Sequence, residues 1–120
     1  MKIINIEDTT KKSIETTFFT GKVMRQSPVT DDEGSDLSID YVHFPKGTRN
    51  KLHYHSNDQV LIVTKGRGTV ATEKESFNLK KGDVIWTPAG EAHWHGAIKD
   101  SDFTHISITK AHTKITQIEK

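Results

Sequence analysis

Residues 47–66 read GTRNKLHYHSNDQVLIVTKG and combine two histidines with a short apolar run. His53 and His55 are separated by one residue, and residues i and i+2 of a β-strand lie on the same face. Both imidazoles are therefore predicted to point to one side of a single strand. The apolar run 60–64 is typical of a strand that is covered on both faces, and the glycine-containing turn at 65–68 indicates a β-hairpin.

Strand and turn signals alternate along the rest of the chain. Strands are predicted at 38–44, 60–64, 69–72, 84–87, 93–98 and 103–109. No segment has sustained helical periodicity, so the pattern favours an all-β sandwich or barrel. Residues 8–17 and the tail from Lys110 are the only candidates for helical or loose structure. The polar segment 26–36 contains Pro28 and Gly34 and is predicted to be a loop.

The composition narrows the class of protein. A chain of 120 residues has room for one core, so a single domain over 1–120 is predicted, with a barrel core at about 38–109, an N-terminal arm at 1–37 and a tail at 110–120. With a net charge of only +1, the protein lacks the long-range electrostatic field that would attract nucleic acid or a membrane surface. The absence of cysteine excludes thiolate ligands and disulfides. With no apolar signal core and no run of membrane-spanning length, a soluble cytoplasmic protein is expected.

The histidines are the main sign of site chemistry. Seven histidines are many for this length, and four of them form two pairs with the same i, i+2 spacing, which are His53 with His55 and His93 with His95. Two strands of this kind that face each other can bring three or four imidazoles together inside a barrel. Such a cluster is suited to a divalent ion such as manganese, iron, cobalt, nickel or zinc.

The spacing around the first pair resembles a known signature. Cupin proteins carry the motif Gly, five residues, His-x-His, three residues, Glu, six residues, Gly, and this chain has Gly47, His53, His55, Gln59 and Gly66 at those positions. The departure is the glutamine, because most cupins have a glutamate ligand there. An amide carbonyl is a neutral oxygen ligand that is weaker than a carboxylate but still usable. The alternative is that Gln59 lies outside the ligand set.

The second pair resembles the second cupin motif, which reads Gly, five residues, Pro-x-Gly, two residues, His. This chain has Gly82, Pro88, Gly90 and His93 at those positions, with Ala97 where an asparagine often follows. The resemblance covers about 38–108. It implies a small antiparallel β-barrel of the jelly-roll, double-stranded β-helix type.

Further segments resemble one subgroup of small bacterial cupins. The segments VLIVTKGRG, DVIWTPAGEAHWHGA and FTHISI are similar to a subgroup in which three histidines and a glutamine hold a manganese-type ion. Some members of that subgroup are hydroxynitrile lyases, which cleave or form cyanohydrins. The resemblance implies that one divalent metal per chain, with manganese first and iron, nickel, zinc or cobalt as alternatives, is bound by His53, His55, Gln59 and His93. It also implies a homodimer.

An enzyme is the first functional hypothesis. The ion would act as a Lewis acid on a small organic hydroxyl or carbonyl compound, and an imidazole would move the proton, with His105 as the first candidate and His95 as the second. Both histidines can instead be packed in the core. A metal-dependent dioxygenase, decarboxylase or isomerase is the rival within the enzyme class. A binding module without turnover and a barrel that the metal only stabilises are the two remaining alternatives.

Residues outside the motifs receive simpler interpretations. His43 and His112 are expected to be structural or exposed, and Trp86 and Trp94 are expected to be core or dimer-contact residues. The segment containing Phe18 and Phe19 is a candidate for pairing with the sheet of a neighbouring subunit.

Overall fold

A computed structural model describes residues 1–120. Apart from two short 3₁₀ helices, Ile6–Asp8 and Asp31–Glu33, its regular elements are strands. Neither helix has the length and apolar character needed to cross a membrane. The eleven strands are β1 (Lys12–Ile14), β2 (Val23–Val29), β3 (Leu37–Phe44), β4 (His53–His55), β5 (Gln59–Gly66), β6 (Gly68–Ala71), β7 (Ser76–Leu79), β8 (Val84–Thr87), β9 (Trp94–Ala97), β10 (Phe103–Lys110) and β11 (Ile115–Gln117).

The strands form three antiparallel sheets. The largest has six strands in the order β1-β2-β3-β10-β5-β8, a second has the order β7-β6-β9, and β11 pairs with β4. The predicted all-β jelly-roll barrel is therefore confirmed. Side chains alternate between the two faces of the large sheet, and the face that carries the core must be buried. The other strands cover that face and so close the barrel.

The inner face of the large sheet carries both the core and the polar site. At one end its residues Val23, Val42, Phe44, Val63 and Phe103 form an apolar cluster with Val70 and Leu79 of the three-stranded sheet. Further along the same inner face, β5 presents the amide of Gln59, and β10 presents His105 and Ser107, all of which are buried. Buried polar groups of this kind need partners, which makes this end of the barrel the place to look for a site.

The prediction of a loop at 26–36 is wrong in its first part. Strand β2 runs through Val29 and pairs with β3, and the register shifts between Gln26 and Val29. Pro28 lies inside that irregularity, where a residue without a backbone donor is tolerated. The rest of the predicted loop contains the second 3₁₀ helix and a left-handed Gly34.

The two segments thought to be helical or loose each contribute a strand. Residues 8–17 include β1, which pairs with β2, and the tail includes β11, which pairs with β4. The strand at Ser76–Leu79 lacked a sequence signal as well. These strands have only three or four residues, so no periodicity can be recognised in their sequence, and they are defined by their pairing with other strands.

Candidate metal centre

Two strands bring three histidines to one point. His53 and His55 belong to β4, and His93 directly precedes β9. The backbones of His53 and His93 are joined by a pair of hydrogen bonds, each N–H donating to the other residue's carbonyl at 3.0 and 2.9 Å. One ring nitrogen from each of the three side chains lies within 4.8 Å of the others, and all three residues are buried. The shared face predicted from the i, i+2 spacing is therefore present.

Hydrogen bonds to backbone carbonyls fix two of the rings. His53 Nδ1–H donates to the carbonyl of Lys51 at 2.6 Å, and His93 Nδ1–H donates to the carbonyl of Glu91 at 2.9 Å. Each ring therefore holds its proton on the nitrogen that points away from the cluster, and the Nε2 lone pair is left bare. A backbone partner on the remote nitrogen is the usual arrangement for a metal-binding histidine.

Gln59 adds an oxygen to the same cluster. Its Nε2–H donates to Ser107 Oγ at 3.0 Å, which turns the carbonyl oxygen Oε1 the other way. That oxygen lies 3.3 Å from His93 Nε2. Since the His93 proton is held at Nδ1, two acceptors face each other without a proton between them, an arrangement that a cation stabilises.

The donor set fits a divalent transition metal. Burial lowers the pKa of His53 to about 3 and that of His55 to about 4, and burial also lowers the pKa of His93. All three rings are consequently neutral at pH 7, which is the form that binds a metal. Imidazole nitrogens with one neutral oxygen suit manganese, iron, nickel, zinc or cobalt.

His95 and His105 form a second buried pair beside the cluster. Asn50 Oδ1 accepts from the backbone N–H of His95 at 2.8 Å, so the amide nitrogen of Asn50 must face the His95 ring, 3.1 Å from Nε2. The same amide nitrogen is 3.4 Å from His95 Nδ1, and His95 Nδ1 lies 3.1 Å from His105 Nε2, so a proton between these two ring nitrogens joins the imidazoles. The remaining nitrogen, His105 Nδ1, is buried without a hydrogen-bond partner.

A cavity of about 300 Å³ joins the two groups of histidines. His53, His55, Gln59, His95 and His105 all line it. Its remaining wall combines six apolar side chains, Ile14, Phe18, Phe19, Val42, Phe44 and Ile115, with five polar ones, Thr16, Arg25, Asp40, Asn50 and Ser107. The arrangement therefore combines a cation site, a proton donor and a partly apolar chamber for a small molecule.

The N-terminal arm and the C-terminal tail complete this chamber. Phe18 contacts the ring of His53 edge-on at 4.8 Å, and its carbonyl accepts from the backbone N–H of Lys51 at 2.9 Å. Phe19 packs against Phe44 at 6.0 Å. Within the chain the backbone of this segment pairs with residues 49–51, and its pairing with the sheet of a neighbouring subunit stays a prediction.

The other candidate residues lie outside the chamber. His43 is on the outer face of the large sheet, between Gln26 Oε1 at 2.7 Å and Thr104 Oγ1 at 3.0 Å. His112 is exposed, as expected. Trp94 stacks under the guanidinium of Arg49 at 4.6 Å, whereas Trp86 is 65% exposed and is not a core residue.

Ser107 and Asn50 are functional positions that the motifs do not contain. Each orients a residue of the site, Ser107 through the amide of Gln59 and Asn50 through the ring of His95. The only signal for Ser107 is its i+2 spacing from His105, which places both on one strand face. Asn50 carries no signal, because its contact depends on how two distant segments pair.

Replacing Ser107 by alanine is expected to weaken metal binding about 10- to 100-fold, because the Gln59 amide then loses the partner that turns its carbonyl toward His93. Titration of the metal-free variant with manganese measures the change. Ser13→Ala, at an exposed position on β1, is the control and should bind as the wild type does. Equal affinity in both variants would show that Ser107 does not position Gln59.

Acidification is expected to destabilise the metal-free protein. Burial holds the pKa of His53 and that of His105 at about 3, against about 6.5 in the unfolded chain. Between these values only the unfolded state takes up the protons, so the free energy of unfolding is highest above pH 6.5. It falls below that pH by up to about 1.4 kcal/mol per pH unit for each such histidine.

Thermal melts between pH 7 and pH 5 test this expectation. The melting temperature should fall steadily below pH 6.5 in the wild type, and equally in His112→Gln, which removes an exposed imidazole. His105→Phe should show a shallower decline. A melting temperature that does not change over this range would contradict neutral buried histidines.

The sequence of this chain is similar to a domain family and to several known proteins. The cupin domain matches residues 40–109. The (R)-mandelonitrile lyase of Granulicella tundricola is 41% identical over 68 residues, which cover 56% of this chain and 52% of that protein. An uncharacterized protein of Methanocaldococcus jannaschii is 34% identical over 62 residues, which cover 51% of this chain and 50% of that protein. The chain thus spans about half the length of these curated relatives.

Solved structures agree with the architecture. A cupin-like protein of Thermotoga maritima superposes with a TM-score of 0.83 at 31% identity, covering 100% of this chain and 90% of that one. A polyketide cyclase of Streptomyces resistomycificus gives a TM-score of 0.88 at 12% identity, covering 100% of this chain and 87% of that one, and supports the fold alone. Together with the paired histidine motifs and the jelly-roll barrel, these matches establish that the chain belongs to the cupin domain family.

Proposed function

We propose that this protein is a metal-dependent enzyme that acts on a small organic hydroxyl or carbonyl compound, with the cleavage or formation of a cyanohydrin as its first candidate reaction. The observation that supports catalysis most strongly is a second buried imidazole, His105, which lines the same cavity as His53, His55 and Gln59 and whose Nδ1 has no hydrogen-bond partner. A buried polar atom without a partner costs stability, and such atoms accumulate where a substrate supplies the missing bond.

The proposed metal ligands are His53, His55, Gln59 and His93, which would hold one divalent ion per chain, manganese first. When bound, the ion supplies a Lewis acid that polarises a hydroxyl or carbonyl oxygen. The four ligands are neutral, so they leave the full double charge of the ion undiminished. A carboxylate in place of Gln59 would remove part of that charge and would weaken the attraction for negative charge that develops on the substrate.

The proposed proton carrier is His105, with His95 behind it. Both imidazoles line the cavity, and His95 Nδ1 lies 3.1 Å from His105 Nε2, so the pair can pass a proton without opening to solvent. In cyanohydrin cleavage the pair would accept the hydroxyl proton and give one proton to the departing cyanide. The count of protons balances, the carbon–carbon bond electrons leave with cyanide, and no oxidant is required.

The chamber favours an apolar substrate. Four aromatic or aliphatic side chains, Phe18, Phe19, Val42 and Phe44, line the cavity together with the histidines. A volume of about 300 Å³ is at the small end of ligand pockets. The mandelonitrile lyase of Granulicella tundricola, whose name refers to an aromatic cyanohydrin, supports the same class of substrate.

An assay of the metal-loaded protein tests this function. The protein would be loaded with manganese and given mandelonitrile, and the release of benzaldehyde would be followed by absorbance beside His53→Ala and the metal-free protein. Release that requires both the metal and His53 is expected. If no aldehyde forms with any of the five metals, the lyase assignment is wrong, and oxygen uptake by the iron-loaded protein would then assign it to the dioxygenases.

We further propose that the protein is a cytoplasmic homodimer. The resemblance to single-domain cupins supports the dimer. Sedimentation of the purified protein across micromolar concentrations would measure a mass of two chains. A mass of one chain at every concentration would contradict it.

A further inference from the structure

The outer face of the large sheet carries apolar side chains where solvent-facing positions are normally polar. Cross-strand pairing lines these residues up in two rows, each of which crosses β3, β10, β5 and β8 in turn. The first row is Ile39, Ile108, Val60 and Trp86, and the second is Tyr41, Ile106, Ile62 and Val84. Antiparallel sheets with one solvated face alternate between apolar and polar residues, so eight apolar side chains in two complete rows indicate a face that is covered.

Within the chain the N-terminal segment 6–11 lies over the Tyr41 end of this face, and the end formed by β5 and β8 is left open. Val84 and Trp86 are each 65% exposed, and the other six side chains are half-buried. An intact tryptophan side chain offers up to about 250 Å², so Trp86 alone leaves on the order of 150 Å² of surface in water. The two rows together expose on the order of 400 Å², which is the size at which apolar patches mark interaction sites.

The edge of the face is rigid. Asp58 accepts from Trp86 Nε1–H at 3.0 Å and from the backbone N–H of Ala89 at 2.8 Å. The polar atom of the indole is thereby satisfied, and the remainder of the ring presents an apolar surface in a fixed position. Aromatic side chains held in this way lose little entropy on binding and are typical anchors of protein interfaces.

We propose that a second copy of this chain packs on this face, sheet against sheet, with Val84, Trp86 and Ile62 at the centre of the contact. This rests on the homodimer proposed above and names the surface that forms it. Four strands at about 4.8 Å spacing give a flat strip about 19 Å wide, and two such strips can pack about 10 Å apart as the layers of a β-sandwich do. With the surrounding polar residues as a rim, the apolar rows supply the centre of an interface of about 800 Å² per chain, which is what a stable dimer needs.

The contact would also support the metal centre. Asp58 lies in the loop between His55 on β4 and Gln59 on β5, and its bond to Trp86 ties that loop to the proposed interface. A partner that covers Trp86 removes water from this hydrogen bond and holds the loop more firmly.

Substitution at Val84 tests the surface. Val84→Lys places a charge from each chain in the proposed contact, and the side chain of Val84 makes no hydrogen bond that the change would break. We expect sedimentation to show at least a 100-fold increase in the dimer dissociation constant, with an unchanged circular dichroism spectrum. Phe77→Lys is the control, because Phe77 is also exposed, at 52%, but lies on β7 in the other sheet. That variant should remain dimeric.

The outcomes separate the surface from the dimer itself. A wild-type protein that sediments as a single chain would overturn both. A wild-type dimer that persists unchanged in Val84→Lys, or that dissociates in Phe77→Lys instead, would overturn the surface and leave the dimer standing. Ile62→Lys repeats the test on the neighbouring strand β5, where Ile62 pairs with Val84, with the same expected dissociation.

Discussion

Replacing His53 by alanine is expected to reduce manganese affinity far more than the 10- to 100-fold loss typical of a supporting residue. His53 is 1% exposed, its Nδ1–H is fixed by the carbonyl of Lys51, and its Nε2 lone pair faces the cluster. The variant therefore loses one of three imidazoles and gains an empty space that no neighbouring side chain can fill with a donor atom. Elemental analysis after gel filtration should fall from about one ion per chain to nearly none.

The control for this experiment is a histidine of the same chain outside the cluster. His112 is exposed and lies in the turn after β10, so His112→Ala should retain the full ion content. A His53→Ala protein that keeps as much metal as the wild type would mean that the three imidazoles do not form the binding site. Melting curves of both metal-free variants would show whether either substitution has unfolded the barrel.

Replacing His105 by alanine is expected to lower kcat by about 10²- to 10⁴-fold, the usual contribution of a general acid or base. His105 lines the cavity and its Nε2 is paired with His95, so the substitution removes the proton carrier and leaves the metal ligands in place. The loss should appear in kcat, while the manganese content remains about one per chain. Steady-state kinetics and elemental analysis of the same preparation measure both quantities.

His43→Ala provides the comparison for His105→Ala. Both histidines lie on the large sheet, but His43 is on the outer face and bonds Gln26 and Thr104. Its removal should change stability but not kcat. If His105→Ala retains full activity, the buried imidazole pair is a packing feature and another group moves the proton.

The metal cluster could be predicted from the sequence because the signals for it lie within short segments. The i, i+2 spacing of His53 and His55 determines their shared face whatever the rest of the chain does, and glycine and proline turns mark the strand ends around His93. These constraints are enough to place the histidines inside a barrel. They also explain why the long strands β3, β5 and β10 agree with the prediction to within a residue or two.

The residues that form the walls of the chamber could not be predicted in this way. Phe18 and Ile115 reach the cavity from opposite ends of the chain through strands and bridges of only a few residues, whose pairing depends on distant partners. Asn50 and its partner His95 are 45 residues apart in the sequence, and Ser107 and its partner Gln59 are 48 apart. Both contacts therefore depend on how distant segments pair. The apolar rows on the outer face become visible only when four strands are set side by side.

The most direct test of the account is an anomalous diffraction map from crystals of the manganese-loaded protein. The account predicts one peak per chain, within bonding distance of His53 Nε2, His93 Nε2, one ring nitrogen of His55 and Oε1 of Gln59. A peak bonded to the three histidines but remote from Gln59 would remove the amide from the ligand set. A map with no peak at this cluster, or with its peak elsewhere in the chain, would contradict the central claim that these side chains form a metal centre.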